Sequence, residues 1–178
     1  MNFKKYLPFE NYSLMSKLTV EEITKRLADN IEPKNNFRFT GLNKSTNKPY
    51  EGQIERDRFT ITRIINYRNS FLPVITGQIS TFLGKTQINV KMRPTTYVLI
   101  FMSIWLGTVG LICLGILFFG IFQFRQVLQD GFSPMMLIPF GMFLFGCLLT
   151  TLAFKAESKK SKYFLATLLQ GEEQTTQS

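Results

Sequence analysis

Arg63, Arg68, Asn69 and Ser70 are the one group in this sequence whose residue types and spacing suit the binding of an anion. Two guanidiniums can fork onto a phosphate or carboxylate, and a neighbouring amide and hydroxyl can complete its hydrogen-bonding shell. Alternation with Phe59 and Ile61 places Arg63 on the apolar side of a predicted strand, where an unpaired guanidinium is costly. Four arrangements relieve that cost: a buried carboxylate partner, a β-bulge, an anionic ligand, or a position near lipid phosphates. Arg68, Asn69 and Ser70 fall in the next turn, where such residues also serve purely conformational needs.

Other chemistry is poorly provided for. Gly84-Lys85-Thr86 has the ending of a phosphate-binding P-loop, but the glycine needed five residues earlier is replaced by Ile79, and the segment lies between strands; it reads as a turn. Glu51, Glu55 and Asp57 occupy a strand and a turn, where carboxylates are ordinarily solvated. The chain has no histidine, so the commonest general base near neutral pH and the commonest metal ligand are missing. Cys113 and Cys147 lie within apolar runs, so they suggest small packed side chains and no disulfide framework or metal cluster. The expectation is no catalytic set, no metal and no cofactor.

The elements that must position these residues are distributed unevenly. Residues 1–96 hold 16 Lys and Arg against 8 Asp and Glu, whereas residues 97–154 hold only Arg125 and Asp130 as charges. A basic segment beside apolar runs fits placement at an anionic membrane surface better than nucleic-acid binding, which is not expected.

Tyr97 to Phe124 is 28 residues without a charge, and 17 of them are Leu, Ile, Val or Phe. At ~1.5 Å per residue it exceeds a ~30 Å hydrocarbon core, and its branched and aromatic residues contribute roughly −5 to −10 kcal/mol to insertion. A second run, Gly131 to Phe154, begins with Pro134 and Pro139. Pro134 suits a helix start and Pro139 should kink the helix. Helices over about 97–122 and 134–154 then form a transmembrane hairpin spanning 97–154.

Lys91 and Arg93 precede the first helix, and Lys155, Lys159, Lys160 and Lys162 follow the second. These basic residues should lie at the membrane surface and, by the positive-inside rule, put both termini in the cytoplasm of a cell whose inner membrane holds the hairpin. The first ten residues have no apolar core of the kind a cleaved signal peptide needs. Ser103, Gly107 and Gly110 in the first helix, with Gly146 and Thr150 in the second, have the small side chains that let helices approach closely. They can serve packing within the hairpin or contact with a second copy or another membrane protein.

Residues 1–96 predict an α+β domain: an antiparallel sheet of four to six strands with one or two helices. Thr19 and Glu22 form a capping box, and Val20, Ile23, Leu27 and Ile31 an apolar stripe, so a helix begins there and ends before Pro33. A short strand is expected at Tyr12 to Leu18. Phe37 and Phe39, then Phe59 and Ile61, Ile75 and Ile79, and Ile88, Val90 and Met92 are the inward positions of later strands. Residues 155–178 predict a cytoplasmic helix from Ser158 to Gln170 with an apolar face, followed by a frayed tail. That face can close the sheet or lie on lipid, and the sheet, short of helices, is the favoured partner.

The run Arg63-Ile64-Ile65-Asn66-Tyr67-Arg68-Asn69-Ser70-Phe71-Leu72-Pro73, with Gly77-Gln78-Ile79 and Thr86-Gln87-Ile88-Asn89-Val90, resembles an uncharacterised family of small bacterial two-pass membrane proteins with an N-terminal α+β domain. The resemblance implies architecture and a bacterial membrane, and no activity. The element order also resembles a reduced helix-grip fold of the START-like kind. Two functional classes follow: a non-enzymatic, membrane-anchored interaction or ligand-binding module, or a membrane-bound enzyme acting on a lipid or envelope precursor.

Overall fold

The structure is a computed structural model that describes residues 7–33, 48–67, 69–122 and 134–174. The chain forms two compact units: residues 1–95 with 154–178, and residues 96–153.

The first unit is α+β. Its strands are β1 (Glu10–Ser16), β2 (Ile31–Pro33), β3 (Tyr50–Ile54), β4 (Arg58–Arg63), β5 (Val74–Phe82), β6 (Lys85–Arg93) and β7 (Gly171–Gln174). They make one sheet in the order β2-β3-β4-β5-β6-β1-β7. The expectation of four to six antiparallel strands is corrected twice. There are seven strands among the described residues, and β2 pairs with β3 in parallel. Both additions sit at sheet edges and lack an alternating apolar pattern. β2 is three residues ending in Pro33, a residue that an edge tolerates. β7 is the polar Gly-Glu-Glu-Gln, paired with β1 where a frayed tail was expected. Gln170 adopts a left-handed φ of 48°, which turns the chain from the preceding helix into β7.

Helix α1 (Val20–Asn30) starts on the expected capping box: Thr19 Oγ1 accepts from Glu22 N at 3.2 Å, and Thr19 N donates to Glu22 Oε2 at 2.9 Å. β1 ends at Ser16, two residues before the expected boundary. The Ser16 hydroxyl accepts from Leu18 N and donates to the Leu169 carbonyl, so the backbone leaves the ladder there. The candidate strand positions Phe37 and Phe39 lie outside the described residues.

The core joins Leu14, Ile23, Leu27, Phe59, Ile61, Ile75, Ile79, Ile88, Val90 and Met92 with Phe154, Leu165 and Leu169. Every inward position read from the described strands is buried, while Thr60, Gln78, Asn89 and Lys91, one residue out of phase, are exposed or partly so. Gly77 is paired opposite Phe59, and a Cβ on Gly77 would collide with that ring, so a glycine is what lets the aromatic lie flat across the strand.

The second unit contains α2 (Thr96–Phe122) and the first half of α3 (Ile138–Leu168). Both helices are long and apolar enough to cross a membrane. Two corrections concern α3. Pro134–Leu137 is a 3-10 turn and the α-helix begins at Ile138, so Pro139 sits in the first turn, where its missing N–H breaks no helical bond. The anticipated separate C-terminal helix is the second half of α3: Lys155 to Lys162 changes the polarity but contains no helix breaker.

Within this unit α2 and α3 run antiparallel, for Trp105 meets Gly146 and Gly110 lies beneath Phe143. A Cβ at Gly146 would overlap the Trp105 ring and stand 3.1 Å from Leu106 Cδ2. Gly146→Val should therefore lower the thermal stability of the detergent-solubilised helix pair by about 1–3 kcal/mol and shift the emission of the chain's one tryptophan. Gly107→Val, with open space at its Cβ, should change neither.

Candidate functional site

Glu157 is the centre of the polar cluster that contains Arg63. Along the second half of α3 and the turn after it, Phe154, Ser158, Ser161, Leu165 and Leu169 recur at helical spacing and are buried. Glu157 lies on the border of that stripe and is itself buried, with 4% of its side chain exposed. A carboxylate in such a place requires donors, and three supply them. Arg63 Nη1 donates to Oε2 at 2.8 Å, Tyr67 OH to Oε1 at 2.6 Å, and Lys160 Nζ to Oε1 at 3.0 Å. Arg63 comes from the last residue of β4, Tyr67 from the loop that follows it, and Lys160 from the next turn of α3.

Tyr50, the β3 residue paired with Arg63, donates its hydroxyl to Ser161 Oγ at 3.1 Å and stacks on Phe164 with ring centroids 4.3 Å apart. Burial raises the Tyr50 phenol above its ordinary value, so it acts as a neutral hydrogen-bonding group. A second set of contacts lies along β1. Lys155 Nζ pairs with Glu10 Oε1 at 2.9 Å, and Lys162 lies 4.7 Å from the centre of the Tyr12 ring while pairing with Glu173 at 2.5 Å. Burial, with Glu10 and Glu173 adding to it, drives the Tyr12 phenol far above its ordinary range.

Burial pushes the Glu157 carboxyl up, but the hydrogen bonds from Tyr67, Lys160 and Arg63 together outweigh it and hold the group below the ordinary glutamate value of 4.5. The bond to Glu157 in turn raises the Lys160 ammonium. Because the folded value of Glu157 lies below the unfolded one, its contribution to stability is complete above about pH 4.5 and is lost as pH falls through the lowered folded value. Acid unfolding followed by circular dichroism should show this limb, and Glu157→Gln should flatten it. An identical acid limb in that variant would show that other carboxylates set it.

Of the described residues nominated from sequence for anion binding, Arg63 alone joins this cluster, together with Lys160, nominated as a membrane-surface residue. The cost of Arg63 on an apolar strand face is relieved by the first of the four anticipated arrangements, a buried carboxylate. Arg68 lies outside the described residues. Asn69 Oδ1 accepts from Phe71 N at 3.0 Å and so shapes its own turn, and Ser70 is exposed. Among the helix-packing candidates, Gly110 and Gly146 lie against the facing helix, Thr150 donates to the Gly146 carbonyl at 2.7 Å, and Ser103 and Gly107 are exposed. Lys91, Arg93 and Lys159 are exposed, whereas Lys155, Lys160 and Lys162 are each ion-paired.

Sequence reasoning missed Glu157 and Tyr67. The signal for Glu157 was present: it follows Phe154 by three residues and precedes Leu165 by eight, which sets an acid against an apolar helical face just as Arg63 sets a base against an apolar strand face. Groups of three or more His, Cys, Asp or Glu placed to hold a metal are absent among the described residues. No protein-family model matches this chain, and no curated protein matches it.

Proposed function

We propose that this chain is a two-pass integral membrane protein that holds a non-enzymatic interaction or ligand-binding module at the cytoplasmic face of a bacterial inner membrane, in the manner of the two-pass family it resembles. The observation that carries the reading is the apolar surface of α2 and α3. Ile100, Phe101, Ile104, Leu111, Leu114, Phe118 and Ile121 on α2, with Leu144, Phe145, Leu148 and Leu152 on α3, are all exposed. These residues spread around the helices, as a lipid-facing pair requires and a water-facing pair forbids. α2 has 27 residues and is about 40 Å long, enough to cross a ~30 Å core with tilt.

Lys91 and Arg93 before α2 and the lysines of the second half of α3 support a cytoplasmic location for both ends. The engagement of Glu157 by three donors supports a binding role over acid–base catalysis, since a general acid or base must exchange its proton freely. The lipid bilayer is the first partner, and the small residues Ser103 and Gly107, exposed on α2, offer room for a second copy or another membrane helix.

The reading predicts that the protein stays in the membrane pellet through alkaline carbonate extraction and leaves it only with detergent. Reporters fused to either end should be active only in the cytoplasm. Release by carbonate would overturn insertion, and a reporter active outside would overturn the orientation.

A further inference from the structure

We infer that Arg63 and Lys160 form a receptor for the phosphate of an anionic phospholipid, with Glu157, which also accepts from Tyr67, as its internal counter-ion. This rests on the membrane reading above and names the ligand that the module takes.

The distribution of exposure is the first support. The carboxylate is hidden, with 4% of its side chain exposed, while the two cations around it show 29% for Arg63 and 55% for Lys160. Tyr67 is 50% exposed. The negative charge therefore faces inward and the positive groups face out. One carboxylate opposite two cations leaves the cluster with one net positive charge. A guanidinium carries five N–H donors and an ammonium three, and Glu157 takes one from each. The remaining donors are held in place by that bond, so a phosphate oxygen meets ordered groups and little side-chain entropy is lost on binding.

Position supplies the second support. On α3, unbroken from Ile138 to Leu168, Glu157 and Lys160 follow Leu152, the last large exposed apolar residue before Lys155, by five and eight residues. At helical rise that is about 8 and 12 Å along the axis, the Lys160 ammonium reaches back along the helix to Glu157, and the headgroup layer beyond the hydrocarbon is on the order of 5–8 Å deep. On this helix Lys160 thus lies within reach of lipid phosphates.

The test is retention of lipid by full-length protein reconstituted into vesicles of phosphatidylcholine with one-fifth phosphatidylglycerol, then released and weighed by native mass spectrometry. Wild type should keep bound phosphatidylglycerol in preference to phosphatidylcholine. Lys160→Gln, an exposed change that leaves the Arg63–Glu157 bond in place, should reduce that preference roughly fivefold, the weight of one basic residue at an anionic surface. Lys159→Gln removes the same charge one residue away and should lose less than half as much.

Equal losses in the two variants, or no preference in wild type, would overturn the site. Displacement of the lipid by millimolar inorganic phosphate would overturn the lipid assignment in favour of a free-anion site. Flotation with pure phosphatidylcholine vesicles separates this inference from the reading beneath it: protein that floats without lipid preference sinks only the receptor, and protein that fails to float sinks both.

Discussion

Phe154→Ala should destabilise the α+β unit by about 3–5 kcal/mol, the range for deleting a fully buried phenylalanine from a packed core. Read by sequence, Phe154 is the last residue of the second apolar run and of the expected transmembrane helix. In the structure it has no solvent exposure and belongs to the same cluster as Leu14, Phe59 and Leu165. The two locations predict different outcomes. A phenylalanine facing hydrocarbon could become alanine with a small loss of insertion energy and no change in the soluble core. A phenylalanine within the core leaves a cavity that the surrounding β-strands cannot collapse to fill. Denaturant unfolding in mild detergent, followed by the β-sheet signal, distinguishes them. Phe145→Ala, at an exposed position on the same helix, is the comparison and should leave that transition in place.

Glu157→Ala should cost about 3 kcal/mol. Removing one member of a buried ion pair costs roughly 3–5 kcal/mol, and the partial exposure of Arg63 allows some rehydration. The loss arises chiefly from what remains behind: a guanidinium and a phenol that were bonded to the carboxylate. Replacing both partners should therefore cost less than replacing one. Glu157→Leu combined with Arg63→Met should recover more than about 1 kcal/mol relative to the sum of the single changes, since two apolar side chains of similar length can fill the space. A double-mutant cycle by denaturant unfolding measures the coupling. Strict additivity would show that Arg63 and Glu157 contribute independently, and the cluster would lose its standing as a unit.

Much of the architecture was legible because it depends on short-range patterns. The capping box of Thr19 and Glu22, the alternation of Phe59 with Ile61 and of Ile88 with Val90, and the two charge-poor stretches are each local properties, and of the two stretches the first was read with close to its final helix boundaries. The sheet edges were not, because β2 and β7 carry no alternating apolar signal and exist only through pairing with β3 and β1. The boundary between the span and the C-terminal helix was also misread, for a change of polarity was taken as a change of element. Hydropathy reports what surrounds a helix, whereas backbone hydrogen bonds decide where it ends, and α3 keeps them from Ile138 to Leu168.

The site divides in the same way. The sequence by itself determined that Arg63 stood on an apolar face and needed relief, because strand alternation fixes the side of a residue from its neighbours alone. It equally determined the two uncharged stretches, whose preference for hydrocarbon is a sum over their own residues. Only the tertiary structure decided that the relief comes from Glu157, 94 positions away, with Tyr67 and Lys160 completing its shell. Local periodicity tells which way a side chain points. The register of β4 and the seating of α3 on the sheet determine what it meets, and those depend on the whole core packing at once.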